Sequence, residues 1–413
     1  MAAAVDPRTL DRKFEWPSGK KLIIYHTNWA MYDRKFAVKD IPIQYLSDIN
    51  YAFFDLKPDP TTGFYVPQTG DAWADTDKRF TDANEGIPPP DTWNDDPALP
   101  QQLYGNLGQL MKLKKLGLQF NLGLSIGGWS WSKHFSDAVK GEREREAFVD
   151  AILAIFDKYP GLFNRVDLDW EYISPPGSNY GNPGNIVRPE DPQNFASFLC
   201  LLRTRLDSTH RPHYEISACV TADPVKLQVL PLQAMSTYLS TINIMTYDFS
   251  SSAWGPCHAG HHANLRSTPY AQLSVDRAVS EYISRGVPPN KIVIGVALYS
   301  RGFNATEGLG MPSRGVVEDK SWEAGVCDYK SLPRPGMVEM WDDQALAGYA
   351  YDAGKKVLTS YDTVRSVQEK CKYIWDKGLK GVIVWESSAD YPVTSERSLI
   401  RTLYEGLARD PRV

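Results

Sequence analysis

Arg165-Val166-Asp167-Leu168-Asp169-Trp170-Glu171-Tyr172 alternates apolar and charged residues without a break. A β-strand sends successive side chains to opposite faces, so the stretch predicts a strand with Val166, Leu168 and Trp170 on one side and Asp167, Asp169 and Glu171 on the other. Same-face neighbours in a strand lie about 6 to 7 Å apart. Three carboxyl groups stacked at that spacing in a poorly solvated interior cannot all ionise, because desolvation and mutual repulsion both raise their pKa values. At least one is expected to hold a proton near neutral pH, and a carboxyl of raised pKa at a cleft mouth is suited to general acid catalysis. The competing reading is a structural ion-pair network, for which only Arg165 lies close in sequence. Arg165 shares the parity of Asp167 and is expected to point inward, below the carboxylates.

Working outward, seven more short apolar runs end at polar or Gly-rich turns, at 22–25, 49–56, 118–125, 215–221, 242–248, 292–299 and 381–385. Amphipathic stretches at 104–116, 142–158, 192–206, 274–285 and 363–377 lie between them and predict helices. Eight β-then-α units predict an α/β fold of the TIM (β/α)8 barrel type, with its working residues at the C-terminal ends of the strands. Two connections exceed what a βα unit needs. The first, 57–100, is rich in Pro, Gly, Asp and Trp and reads as a long loop. The second, 304–360, carries Gly-rich turns and aromatic alternation (Gly348-Tyr349-Ala350-Tyr351) and reads as a small α+β insertion domain between strands seven and eight. The expected organisation is therefore a barrel over 1–303 and 361–413, interrupted at 304–360.

The composition agrees with a folded enzyme-sized chain. Of 413 residues, 42% are hydrophobic and 23% charged, which is ordinary globular usage. Lys plus Arg number 45 against 50 Asp plus Glu, a net charge of −5 with no block of like sign. That balance argues against nucleic acid and against an anionic membrane as partners. No run of about 18 apolar residues predicts a transmembrane helix, and residues 1–21 contain no apolar stretch of signal-peptide length. The five cysteines are widely spaced without a CxxC pair and read as buried thiols, not as a disulfide framework or zinc ribbon. Cys257-His258 followed by His261-His262 has a spacing that invites a metal, yet no metal and no cofactor is expected.

Several motifs fall at one pole of the expected barrel. Ser125-Ile126-Gly127-Gly128-Trp129 closes the third strand, where paired glycines permit close approach of backbone or ligand. Met245-Thr246-Tyr247-Asp248 ends the sixth, Tyr299-Ser300-Arg301-Gly302-Phe303 follows the seventh, and Val384-Trp385-Glu386 ends the eighth. With the DxDxE core at Asp167, Asp169 and Glu171, these motifs resemble the chitinases of glycoside hydrolase family 18, in the expected order from about Lys21 to Arg409. The subgroup resembled carries an α+β insertion, like 304–360.

The resemblance implies a retaining, substrate-assisted hydrolysis of β-1,4-N-acetylglucosamine linkages. The substrate's own acetamide then serves as nucleophile, an exception to the two-carboxylate scheme. Glu171 matches the general acid, Asp169 the residue that turns toward the acetamide and the acid, and Asp167 its buried partner. Tyr247 matches the hydroxyl that bonds the acetamide oxygen. Met245 and Asp248 match neighbours lining the same subsite, and Trp385 the aromatic floor. Tyr25, Phe53, Trp129, Tyr172 and Arg301 are expected to touch substrate as well. Trp73 and Trp93 in the long loop are candidate sugar platforms, followed by Trp29, Trp131 and Trp254. The implied partner is chitin or a chitooligosaccharide, the chain is expected to act as a monomer, and the resemblance implies secretion. One departure is visible: Asn164-Arg165 stands where the family commonly has Asp-Gly, and Arg165 is expected to lower the pKa of the carboxylates above it. Two other readings remain open from the motifs alone, a chitin-binding lectin and an endo-β-N-acetylglucosaminidase acting on N-glycans.

Overall fold

The computed structural model describes residues 14–82, 84–92 and 103–410. Eight parallel strands form the ring: β1 (Lys21–Thr27), β2 (Asp48–Pro58), β3 (Asn121–Gly127), β4 (Arg165–Asp169), β5 (Glu215–Thr221), β6 (Thr241–Met245), β7 (Ile292–Ala297) and β8 (Gly381–Trp385). Their order in the sheet is β1-β8-β7-β6-β5-β4-β3-β2, and β1 also pairs with β2, which closes a TIM barrel. Among the described residues, no helix is long and apolar enough to cross a membrane. The molecule comprises two compact units. One holds Tyr25–Cys219 and Val229–Thr241; the other holds Trp16–Ile24, Val220–Gln228 and the chain from Ile242 onward.

In the first unit the register aligns residues of like parity across β3, β4 and β5. Gly123 pairs with Arg165 and Ser125 with Asp167; Arg165 pairs with Glu215 and Asp167 with Ser217. The opposite parity is apolar, and Leu124, Val166, Leu168 and Ile216 are fully buried. The helix Glu142–Lys158 buries Phe148, Val149, Ile152, Leu153 and Phe156, one stripe at helical spacing. Phe148 stacks on Phe198 of the helix Asp191–Ser208, 4.5 Å between ring centroids. Trp170 continues the outward parity, stacking on Phe135 at 5.2 Å and meeting Phe195 edge-on at 5.7 Å.

The strand expected to reach Tyr172 stops at Asp169. The reason lies in the turn after β3, which takes up the backbone groups a longer strand would pair. The Gly128 amide (2.8 Å) and the Ser132 hydroxyl (3.1 Å) both donate to the Asp169 carbonyl. The Glu171 amide donates to Ser132 Oγ at 2.8 Å. The long 57–100 connection also holds a strand that its composition did not reveal, Tyr65–Thr69, which runs antiparallel to β2.

The second unit contributes β6, β7 and β8 in continuous register. Its helices begin where hydroxyl caps allow. Ser274 accepts from the Arg277 amide ahead of Val275–Ser284, and Thr363 from the Ser366 amide ahead of Val364–Lys377. The apolar helix Leu399–Leu407, capped by Ser398, went unread in the sequence. Between β7 and β8 lies a four-stranded antiparallel sheet. Three of its strands, Val338–Asp342, Ala347–Asp352 and Val357–Ser360, come from the 304–360 segment, and Arg301–Phe303 supplies the fourth.

Arg165 does project inward, and it is fully buried. Its guanidinium reaches Asp48 Oδ1 of β2 (3.1 Å), Ser217 Oγ of β5 (3.1 Å) and Thr241 Oγ1 of β6 (3.0 Å). Glu215 lies 3.9 Å away. Asp48 in turn accepts from Ser47 Oγ (2.5 Å) and Asn121 Nδ2 (3.2 Å). Asn164 ties β4 to β3, donating to Asn121 Oδ1 at 2.8 Å while accepting the Leu122 amide at 2.9 Å. A buried pair is costly to break from one side because the survivor keeps its charge without a partner. Arg165→Met is therefore expected to lower unfolding stability by about 3 to 5 kcal/mol. Arg165→Met with Asp48→Asn should recover much of that loss in denaturant melts; a double variant no more stable than the single one would contradict the pairing.

Candidate active site

The carboxylates of β4 each meet a different environment. Asp167, fully buried, accepts three hydroxyl hydrogen bonds: from Tyr25 (2.6 Å), from Ser125 (2.9 Å) and from Ser217. The Tyr25 hydroxyl also meets Cys219 Sγ at 2.8 Å. Since the phenol proton goes to Asp167, the thiol is the donor of that contact. Burial and the nearby Asp167 push the Tyr25 phenol well above its ordinary pKa, so it stays a donor. Burial likewise raises the Cys219 thiol, with Asp169 and Asp167 adding to the effect.

Asp169 is nearly buried, and its Oδ1 finds no hydrogen-bond partner among the described residues. Burial, then the charges of Glu171 and Asp167, push its pKa well above the carboxylate range. That direction is the one expected for a carboxyl in the stack. Glu171 lies one step past the strand end and is half-buried, its backbone held by Ser132 and by Asn185 Nδ2, which donates to the Glu171 carbonyl at 2.8 Å. Arg165 spends its charge on Asp48 first and Glu215 second, with Asp167 a lesser neighbour. The expectation that Arg165 lowers the acids' pKa does not hold for Asp169, because the guanidinium is engaged one layer below.

Around these carboxylates, Phe53 packs against Tyr25 (6.1 Å), Trp29 (6.3 Å) and Trp131 (6.4 Å). The glycine pair lets the β3 turn close over them. Both have positive φ, and a Cβ would stand 2.4 Å from the Asp169 carbonyl oxygen at Gly127 or 2.7 Å from the Phe53 ring at Gly128. Tyr172 is half-buried, whereas Trp129 and Trp73 present about half their surface to solvent (49% and 52%). Trp93 lies outside the described residues.

The second unit assembles the other expected residues. Asp248 sits at φ +59° directly after β6, with Tyr247 before it and Met245 closing the strand. Arg301 grips Asp248 with two bonds, Nε to Oδ1 at 2.7 Å and Nη2 to Oδ2 at 3.0 Å, and His262 Nδ1 stands 3.8 Å off. Burial alone would raise the Asp248 pKa, yet His262 and Arg301 together hold it below the usual carboxylate range. Tyr247 meets Tyr299 edge-on at 6.2 Å. The Arg301 guanidinium also lies over Tyr299 (5.5 Å) and the exposed Trp254 (5.0 Å). Trp385 ends β8, half-buried. His262 turns to Asp248 and His261 to Asp342 (3.1 Å), so the two rings serve carboxylates on separate elements.

Ser125 stands in the motif closing the third strand, but Ser217 and Cys219 were not singled out from the sequence as site residues. Parity alone would have found them: Glu215, Ser217 and Cys219 alternate along β5 as Asp167 and Asp169 do along β4.

Comparison with known proteins gives the class of this parallel barrel with its DxDxE segment at the fourth strand, a glycoside hydrolase. Residues 21–390 match the family described as glycosyl hydrolases family 18. The chain belongs to that family. It is 36% identical to endochitinase 1 of Metarhizium robertsii over 379 residues, covering 89% of this chain and 81% of that protein. It is 34% identical to chitinase 1 of Aphanocladium album, covering 94% and 86%. The solved catalytic domain of the psychrophilic chitinase B from Arthrobacter TAD20 superposes with a TM-score of 0.84 at 27% identity, covering 96% of this chain and 97% of that one.

A carboxyl with a raised folded pKa binds its proton more tightly folded than unfolded. Its stabilising contribution is complete below the unfolded value, about 3.9 for Asp, and declines as pH rises toward the folded one. Asp169→Asn is expected to flatten the fall in melting temperature as pH rises above about 4. Parallel profiles for wild type and variant would place the proton elsewhere.

Proposed function

We propose that this glycosyl hydrolase is a chitinase that cleaves β-1,4-N-acetylglucosamine linkages of chitin and chitooligosaccharides with retention of anomeric configuration. The observation that carries the reading is the graded carboxylate column: Asp167 bonded by three hydroxyls, Asp169 buried with its pKa pushed up, and Glu171 half-exposed beyond the strand end.

In the reaction, Glu171 gives its proton to the glycosidic oxygen as that bond breaks, while the acetamide oxygen of the sugar on the other side attacks the anomeric carbon. The result is an oxazolinium and a free leaving sugar. Glu171, now a carboxylate, takes a proton from the water that opens the oxazolinium, which restores the acid and the original configuration. The second carboxylate of the usual scheme is not needed, because the substrate supplies the nucleophile. Asp169, protonated, donates to the Glu171 carboxylate once the proton has left it and steadies the acetamide in the attacking pose. Asp167 stays behind as the acceptor of the Tyr25, Ser125 and Ser217 hydroxyls, which keeps negative charge next to Asp169 and so its proton in place. Tyr247 donates to the acetamide oxygen, Asp248 and Met245 line that subsite, and Trp385 supplies the apolar floor that a pyranose face requires. Arg301 fixes Asp248, and Tyr25, Phe53, Trp129 and Tyr172 bound the sugar site.

A polymer substrate is supported by the antiparallel sheet between β7 and β8. We take 304–360 as an insertion domain in a barrel of 1–303 and 361–413. The exposed rings of Trp73 and Trp129 suit further sugar units. The chitinase names of the relatives point the same way. The acid at Glu171 disfavours a lectin, and the inserted sheet disfavours an N-glycan endoglycosidase.

Hydrolysis of a soluble N-acetylglucosamine oligomer, followed by NMR as the products form, is expected to release the β-anomer first. Glu171→Gln should lower turnover by about 10²- to 10⁴-fold, the usual contribution of a positioned acid. Initial α-anomer would exclude retention, and near wild-type turnover of the variant would exclude Glu171. Oligomer binding without any hydrolysis by wild type would point to a lectin.

A further inference from the structure

The turn Trp73–Asp77 follows the strand that pairs with β2, and most of it faces solvent except Ala74 and Asp75, which are fully buried. A buried aspartate on an otherwise exposed turn needs partners, and this one has them. Its Oδ1 accepts from the Tyr51 hydroxyl of β2 (2.6 Å) and from Asn28 Nδ2, just past the end of β1 (3.1 Å). Its Oδ2 accepts the Asp71 amide at 3.0 Å. Asn106 closes the cluster, donating to the Asn28 carbonyl and the Tyr51 hydroxyl, both at 3.3 Å. Two further bonds tie the turn to the start of the helix Gly105–Lys115: the Tyr104 amide to the Thr76 carbonyl (3.2 Å) and the Gly105 amide to the Lys78 carbonyl (2.8 Å).

What this anchoring holds in place is aromatic and exposed. The Trp73 ring is 52% accessible and Tyr32 is 41% accessible. The Tyr32 hydroxyl donates to Asp71 Oδ2 at 2.6 Å, so both rings hang on the same short turn. Gly70, immediately before it, abuts the Trp131 ring and the Phe53 carbonyl, and a Cβ there would lie 2.3 Å from Trp131. The turn therefore stands on the rim beside Phe53 and Trp131, at the ends of β2 and β3.

We propose that Asp75 is a positioning residue, anchoring the 71–77 turn so that Trp73 and Tyr32 form a wall that binds N-acetylglucosamine units remote from the bond that is cleaved. The proposal rests on the reading of Trp73 as a sugar platform. A rigid platform loses little conformational freedom when a sugar docks, whereas a loose turn must be ordered at the expense of affinity. Asp75 supplies that rigidity through Tyr51 and Asn28, whose buried donors have no reason to release the turn while the carboxylate accepts from them.

Asp75→Asn is the discriminating variant. Its uncharged amide oxygen accepts more weakly from Tyr51 and Asn28 than the carboxylate does, and its NH2 opposes the Asp71 amide, so all three ties of the turn slacken. The measurement is KM for an N-acetylglucosamine hexamer relative to KM for a trimer, on the full chain, with kcat followed alongside. Asp75→Asn and Trp73→Ala are each expected to raise the ratio about fivefold, equivalent to about 1 kcal/mol. The double variant should raise the ratio only slightly beyond Trp73→Ala alone, since Tyr32 is then the one ring of the wall left for the anchor to hold. An unchanged ratio in Asp75→Asn beside a raised one in Trp73→Ala would overturn the positioning role and leave the platform standing. An unchanged ratio in Trp73→Ala would overturn the platform itself. Equal loss of kcat on both oligomers in Asp75→Asn, with KM unmoved, would make Asp75 a general support of the fold and overturn the proposal as well.

Discussion

Three closely spaced carboxyl groups on and just beyond a single barrel strand crowd a space too dry to hold all their charges in its interior. The structure meets that constraint with a different device at each level. Asp167 is surrounded by hydroxyl donors from β1, β3 and β5. Asp169 has its pKa pushed up by burial and by the charges of Glu171 and Asp167. Glu171 escapes the barrel interior because the strand ends before it and the β3 turn takes up its backbone. The gradient from dry to half-exposed along one strand is what separates the roles of chemically similar side chains.

The layer below is equally constrained. A fully buried arginine in a barrel floor would be untenable without counter-charge, and Asp48 with Glu215 provides it. By binding Asp48 on β2, Ser217 on β5 and Thr241 on β6, Arg165 holds together strands on both sides of its own. Ser217 belongs to both layers, since it accepts from Arg165 and donates to Asp167. The Asn164-Arg165 pair, a departure from the usual motif, thus serves the floor of the barrel while the carboxylate column above keeps its own hydroxyl partners.

In the second unit, a comparable balance sets Asp248. Its positive φ turns the chain sharply after β6, and Arg301 with His262 holds the carboxylate ionised despite burial. Here a paired cation pulls the pKa down, whereas on β4 burial and neighbouring carboxylates push that of Asp169 up.

The eight ring strands, most of the helices and the identity of the carboxylate column were legible in the sequence, because strand parity, helical spacing and turn residues are local properties that survive without knowledge of neighbours. The motifs following the strands were legible for the same reason, as short local signatures at strand ends. The strand Tyr65–Thr69 was not legible, because Pro67 and the polar Gln68 and Thr69 weaken its strand signal even though its pairs with β2, Pro58–Tyr65 to Phe54–Thr69, form a local hairpin. Nor could spacing say which carboxyl has its pKa pushed up, that β4 would stop at Asp169, or that Arg165 would bind Asp48, 117 residues away. Those outcomes depend on desolvation and on donors from distant strands, quantities that exist only once the chain has closed on itself.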